Sequence, residues 1–141
     1  MPASRILVAV STPWASEKLF VTVRDLADRL HASVVVAHVA RPTEEDESTS
    51  DTRQRGEQTL QSLTSRLAEA NVPAEGLMLY GDDVAKAVLN AAEDQHVTLV
   101  VLGLSGKGKI ARWLAGDIPQ QVVRQAKVPV LLYPPDWSGT I

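Results

Sequence analysis

The sequence predicts a single three-layer α/β domain, a parallel sheet of five strands with four helices divided between its two faces, and three observations carry that reading. Short apolar runs recur at residues 5–10, 33–40, 75–80, 97–102 and 129–133. Where such runs are apolar on both sides, they suit strands covered on both faces by helices. Between them lie segments whose apolar residues return every three or four positions, the period of a helix. The two patterns alternate strictly, and alternation of this kind implies parallel pairing through right-handed crossovers.

A chain of 141 residues with 45% hydrophobic content is enough for one full core and too short for two ordinary ones, so residues 1–141 are read as one domain. The sequence has no cysteine, which rules out a disulfide framework and a thiolate metal site. Neither a basic n-region followed by an apolar stretch nor a run of about 18 apolar residues is present, and a cytoplasmic protein off the membrane is expected. The net charge of −3 argues against general nucleic-acid binding.

The opening run, RILVAV, is expected to be a central strand, ending at Ser11. Leu19, Val23, Leu26 and Leu30 then mark a first helix, with Ser16 as its expected N-cap and a stop near His31. SVVVAHVA at 33–40 is the second strand, and its His38 lies near the carboxyl end, where sites in open α/β sheets collect. The structural reading of His38, a buried and hydrogen-bonded side chain, is the simpler one. Residues 41–54 carry the acidic cluster Glu44, Glu45, Asp46 and Glu47 and no large apolar residue, so a solvated, flexible loop is expected there. Helical period resumes from Gly56 with Leu60, Leu63 and Leu67, and Asn71 with Pro73 marks its end. A third strand at 75–80 leads through Gly81 and Asp82 to Asp83, the expected cap of a third helix bearing Val84, Val88, Leu89 and Ala92. The fourth strand ends at Gly103; a glycine-bearing loop follows, then a helix with Asp117 as expected N-cap and Pro119 in its first turn. The last strand, at 129–133, is flanked by Pro129, Pro134 and Pro135, which suits an edge, and residues 134–141 form a tail.

Ligands in open parallel sheets bind beyond the carboxyl ends of the strands at the switch point, which here brings Ser11 and Gly103 forward. Gly106 and Gly108 lack β-carbons and let a ligand approach the backbone, which suits a phosphate cradle between a strand end and a helix N-terminus. The turn STPWAS has no G-x-G-x-x-G, so NAD and FAD are not expected, and no P-loop is present. A phosphoreceiver would place acids where this chain has Ser11 and Tyr80. No Ser/His/Asp set and no H-E-x-x-H helix can be assembled, so neither a catalytic nor a metal site is expected.

Gly103-x-x-Gly106, nine residues and then Gly116, followed by a helix and the strand PVLLYP, resembles the universal stress protein family. The opening ILVAV, the AHV that closes the second strand, Gly81 before the third helix and VVLG before the loop extend the likeness over the whole chain. The resemblance implies strand order 3-2-1-4-5, a homodimer and, in one branch of the family, an ATP or AMP site. By position, Ser11, Val39 and Gly103 would form its adenine and ribose end, while Gly106, Gly116, Asp117 and Ile118 would line the phosphates with Lys107 nearby. The nucleotide-binding branch has aspartate in place of Ser11 and serine or threonine in place of Asp117. A carboxylate about 4 Å from a phosphate repels it by about 4 kcal/mol at an effective dielectric of about 20.

Lys107, Lys109 and Arg112 supply counter-charge in the loop, and a divalent ion joining Asp117 to phosphates is a further arrangement the residues allow. Trp113 beside Arg112 admits two readings, a base-stacking platform or an aromatic packed on the fold. The expected function is that of a dimeric stress-response protein acting by association with an unknown protein partner. Its nucleotide cleft would be degenerate; the alternative is an ATP/AMP sensor with slow ATPase activity. The expected dimer contact is the edge strand, through Val130, Leu131, Leu132 and Tyr133, whose backbone a two-fold mate would complete. Trp137 covering that edge within one chain is the competing arrangement.

Overall fold

The chain runs β1 (Arg5–Ala9), α1 (Pro13–Leu30), β2 (Ser33–Ala40), α2 (Thr49–Glu69), β3 (Ala74–Tyr80), α3 (Val84–Asp94), β4 (Leu99–Gly103), α4 (Asp117–Gln125) and β5 (Val130–Tyr133). This is a computed structural model that describes residues 3–10, 13–40, 48–103, 117–134, 137 and 140–141. All strand pairs are parallel, in the order β3-β2-β1-β4-β5, as the resemblance implied. β1 is central: Ile6 stands between Val34 of β2 and Leu99 of β4.

Alternate strand residues feed two cores. Ile6, Val8, Val34, Val36 and Val101 pack with Val23, Leu63 and Leu67 from α1 and α2. Leu7, Ala37, Val39, Val100 and Leu102 pack with Val84, Val88 and Val122 from α3 and α4. The first two crossovers step one way along the sheet and the last two the other, so right-handedness sends each pair of helices to its own face.

Three helix starts differ from expectation. α1 begins at Pro13, which places Ser16 inside the helix and not at its cap. Proline suits a first helical position, because its φ is already helical and the N–H it lacks would have no partner there. α2 begins at Thr49, so six residues of the expected 41–54 loop are helical. Ser48 is the cap, its hydroxyl accepting from the Asp51 N–H at 3.0 Å. The remainder of that loop, 41–47, lies outside the described residues. Asp83 caps α3 as expected, accepting from the Lys86 N–H at 3.1 Å, and Asp117 stands as the first residue of α4, one position inside the expected cap.

Three helices end alike. His31, Asn71 and His96 take left-handed φ of 51°, 63° and 53°. The next N–H in each case reaches back five residues: Ala32 to Ala27 at 2.9 Å, Val72 to Leu67 at 2.9 Å and Val97 to Ala92 at 3.1 Å. This closes the helix on a buried apolar residue that leads towards the next strand.

The amino edge of the sheet is tied by Arg5. Its guanidinium donates to Ser33 Oγ at 3.3 Å and Gln95 Oε1 at 3.1 Å and pairs with Glu75, while its backbone N–H donates to Thr98 Oγ1 at 2.9 Å. Elements from β2 to the approach of β4 are thereby held to one side chain.

Gly56 of α2 lies close against β2 and β3. A β-carbon there would stand 2.8 Å from Met78 Cε and 2.9 Å from His38 Cδ2. Gly56→Ala is therefore expected to lower stability by about 1–3 kcal/mol in urea unfolding through overpacking, although alanine is the better helix former by about 1 kcal/mol. Met78→Val in the same chain should recover part of the loss, because it removes the flexible half of the clash. An unchanged or raised midpoint for Gly56→Ala alone would show that the contact yields freely.

Candidate functional site

At the carboxyl edge of the sheet, Gly103 of β4 pairs with Tyr133 of β5, and His38 of β2 pairs with Met78 of β3. Val10, the residue after β1, closes the gap: its N–H donates to the Ala37 carbonyl at 2.9 Å. These residues form one transverse row, the last before the chain leaves the sheet at the β1/β4 switch point, where doubly wound folds place their ligands.

His38 is 4% exposed, and its Nδ1 lies 2.9 Å from the Val10 carbonyl. A carbonyl only accepts, so Nδ1 carries the proton and Nε2 presents a lone pair. Nε2 is buried and has no hydrogen-bond partner among the described residues. Burial lowers the pKa of His38 below its ordinary 6.5; the Val10 hydrogen bond opposes the shift and the Arg55 charge adds to it. The histidine ties β2 to the end of β1, and so the structural reading holds for one of its nitrogens only. The other two histidines, His31 and His96, are the left-handed caps described above.

Gly103 ends β4 with little side-chain room to spare. A β-carbon on it would lie 3.1 Å from Tyr133 Cε2 and 3.2 Å from both Cζ and the hydroxyl oxygen. The ring of Tyr133 thus occupies the space this glycine leaves. Tyr133 is 7% exposed and its hydroxyl has no partner among the described residues; burial pushes its pKa up, so the group stays protonated. Trp137 packs against the same core cluster, with its indole N–H likewise buried without an acceptor and its own N–H donating to the Pro134 carbonyl at 3.1 Å.

The remaining predicted residues divide. The Val39 side chain packs into the α3/α4 core, which leaves only its backbone for a ligand, and Ile118 packs against the same core from α4. Ser11, Gly106, Lys107 and Gly116 lie outside the described residues, as do Lys109, Arg112 and Trp113. On β5, Val130 and Leu131 are half-buried, Leu132 is 39% exposed, and Tyr133 turns inward. A strand mate would therefore meet the Tyr133 backbone and not its ring.

Among the described residues no group of three His, Cys, Asp or Glu is placed to hold a metal ion. None of their helices is long and apolar enough to cross a membrane. A cavity of about 590 Å³ lies between α3 and α4 over Leu89, Val97, Val100 and Val128, and no residue predicted for the site is among those lining it. Sequence reasoning missed the unpartnered Tyr133 hydroxyl, because a tyrosine in an apolar edge run reads as packing, and it missed the ties made by Arg5. A polar atom inside an apolar run was the one available signal for both.

The pH dependence follows from His38. Its folded pKa lies below 6.5, the unfolded value, so the unfolded chain takes up a proton first. Stability should be full above pH 6.5 and fall as pH drops from there towards the folded pKa, by up to about 1.4 kcal/mol per pH unit. His38→Asn retains a donor for the Val10 carbonyl and should flatten that limb in urea unfolding at a series of pH values. An equal slope in the variant would assign the proton elsewhere.

The model of the universal stress protein family matches residues 2–134. A universal stress protein of Bacillus subtilis, YxiE, is 24% identical over 145 aligned positions covering 92% of this chain and 97% of that one. A universal stress protein of Thermus aquaticus is 36% identical over 66 residues, 47% of this chain, and the matched stretch spans about half of that relative, 48%. Among solved structures, a universal stress protein in complex with cAMP superposes with a TM-score of 0.68 at 20% identity, covering 94% of this chain and 98% of the other.

Proposed function

Because the chain belongs to the universal stress protein family, we propose that it is a cytoplasmic regulatory protein that acts by association and not by turnover. It works as a homodimer paired through β5, with an adenine-nucleotide cleft of weakened affinity at the β1/β4 carboxyl edge. The observation that carries the weakened cleft is Asp117 as the first residue of α4. A helix N-terminus favours anions through its free N–H groups, and a carboxylate in the first turn both answers that field and repels a phosphate. Support for association comes from β5, a short strand at the sheet edge with Leu132 exposed on it. Support for association over turnover comes from His38, which is buried and tied through Nδ1 to the Val10 carbonyl.

A second reading is a nucleotide sensor, in which Lys107, Lys109 and Arg112 or a divalent ion overcome Asp117; the cAMP held by a structural relative favours it. Calorimetric titration with ATP and AMP, with and without magnesium, separates the two. Under the first reading ATP binds with Kd above about 100 μM, and Asp117→Ser together with Ser11→Asp strengthens binding by at least about 2 kcal/mol. Adenosine, lacking phosphates, should respond to Ser11→Asp and hardly to Asp117→Ser. Low-micromolar ATP binding by the unmodified protein would install the sensor in place of the weakened cleft.

The dimer has its own check. Light scattering should give twice the chain mass at micromolar concentrations, and Leu132→Asp, a surface change, should return it to the mass of one chain. A dimer that survives the substitution would place the interface away from β5.

A further inference from the structure

The sheet ends on one side in β3, and the outer edge of that strand carries none of the features that keep strand edges from pairing. Its seven residues, AEGLMLY, hold no proline and no lysine, and they pair with β2 in unbroken register, so no bulge turns the edge away. Glu75 is its one charge, and Arg5 meets it within the chain. The far edge differs: β5 is four residues long and lies between Pro129 and Pro134. Which backbone groups of β3 face outward follows from the ladder, in which the Val34 N–H donates to the Pro73 carbonyl at 2.8 Å. Backbone groups alternate sides along a strand, so residues 75, 77 and 79 face β2, while Ala74, Gly76, Met78 and Tyr80 direct theirs outward. Gly76 has no side chain and is exposed, which means that its backbone reaches solvent. Tyr80 is 66% exposed.

We infer that this edge pairs with β3 of a second copy of the chain, antiparallel, about a two-fold axis at Leu77. That register sets Ala74 opposite Tyr80 and Gly76 opposite Met78, twice over by symmetry. All four residues direct their backbone groups outward, so each of these pairs is a hydrogen-bonded one, with about eight bonds across the axis. On the face where Ala74 and Met78 pack against the α1/α2 core, every large side chain then meets a small residue. On the opposite face Leu77 meets its own copy and Leu79 meets Glu75, so no like charges stand opposite each other. A contact one strand wide is smaller than a permanent interface, so it forms at high protein concentration and joins single chains or β5-paired dimers transiently. It requires neither the β5 contact nor a bound nucleotide.

The chain has no cysteine, so Leu77→Cys in the full-length protein reports the axis directly. Leu77 would form a non-hydrogen-bonded pair with its own copy, α-carbons about 4.5 Å apart and within reach of a disulfide. Under mild oxidant a covalent dimer is expected on a non-reducing gel, and Glu75→Cys, more exposed but opposite Leu79, should give at least about 5-fold less of it. Absence of the Leu77→Cys dimer, or an equal yield from Glu75→Cys, would overturn the inference. Should Leu77→Cys fail to fold, Ala74→Cys combined with Tyr80→Cys places two cysteines in one facing pair and must link the chains instead. Sedimentation equilibrium supplies the second readout, on Leu132→Asp, which leaves β3 as the intact edge. Its mass should rise from one chain near about 10 μM towards two near about 1 mM, and adding Tyr80→Lys, a surface change, should hold it at one throughout. A mass that stays at one chain, or rises equally with the lysine present, would overturn the β3 contact and leave the β5 reading standing. A Leu132→Asp protein already at twice the chain mass near about 10 μM would count against β5, and the cysteine readout then decides for or against β3.

Discussion

Everything in this fold is registered on β1, the strand with a neighbour on each side and a helix layer on each face. A strand so placed has no solvent to satisfy its backbone, and every donor and acceptor on it must be met by β2 or β4. The pairing of Ile6 with Val34 and Leu99 thus fixes the level of both flanking strands, and through them β3 and β5. A slip of one residue would exchange Ile6 and Val8 for Leu7 and Ala9 between the two cores, which differ in shape and in the helices that cover them. The ends of β1 accordingly define two edges of unlike chemistry.

At the amino edge polar groups are mostly consumed. Three helices finish in left-handed residues whose successors close them, and Arg5 gathers Ser33, Glu75 and Gln95, its Nε alone lacking a partner among the described residues. At the carboxyl edge the account stays open. His38 Nε2 and the Tyr133 hydroxyl lie on the row that ends β4 and β5, without partners among the described residues, one an acceptor and the other a donor. They do not serve each other, since Val10 and Gly103 stand between them in the row.

The strands were legible because burial on both faces leaves a composition that hardly any other local structure tolerates, as in RILVAV and SVVVAHVA. Helix ends were legible at His31 and Asn71 for a related reason: the apolar period stops there and a residue tolerant of positive φ follows. Helix starts were harder. The first two turns of α2, from Thr49 to Gly56, hold no large apolar residue, so periodicity found nothing to count until Leu60, while the cap at Ser48 sat within an acidic, serine-rich stretch. For the site, the glycine spacing pointed to the carboxyl edge of β4, but Gly56, which lets α2 approach His38 and Met78, read as an ordinary helix start. Close approach between elements far apart in sequence leaves no local pattern.

Gly103 has a reason in packing alone. Its missing β-carbon faces Tyr133 on the α1/α2 side of the sheet, so the ring alone is sufficient reason for glycine there. A ligand at the strand's carboxyl end would approach along the strand, towards backbone groups, and would not contend with the ring for that space. Packing therefore weakens any argument from the glycine to a ligand, because it would retain the glycine in a chain that bound nothing. The case for an anion at this edge then falls mainly on the start of α4, where nothing in the described packing demands a charged residue. There the chain has Asp117 as the first residue, at the end of a helix that favours negative charge.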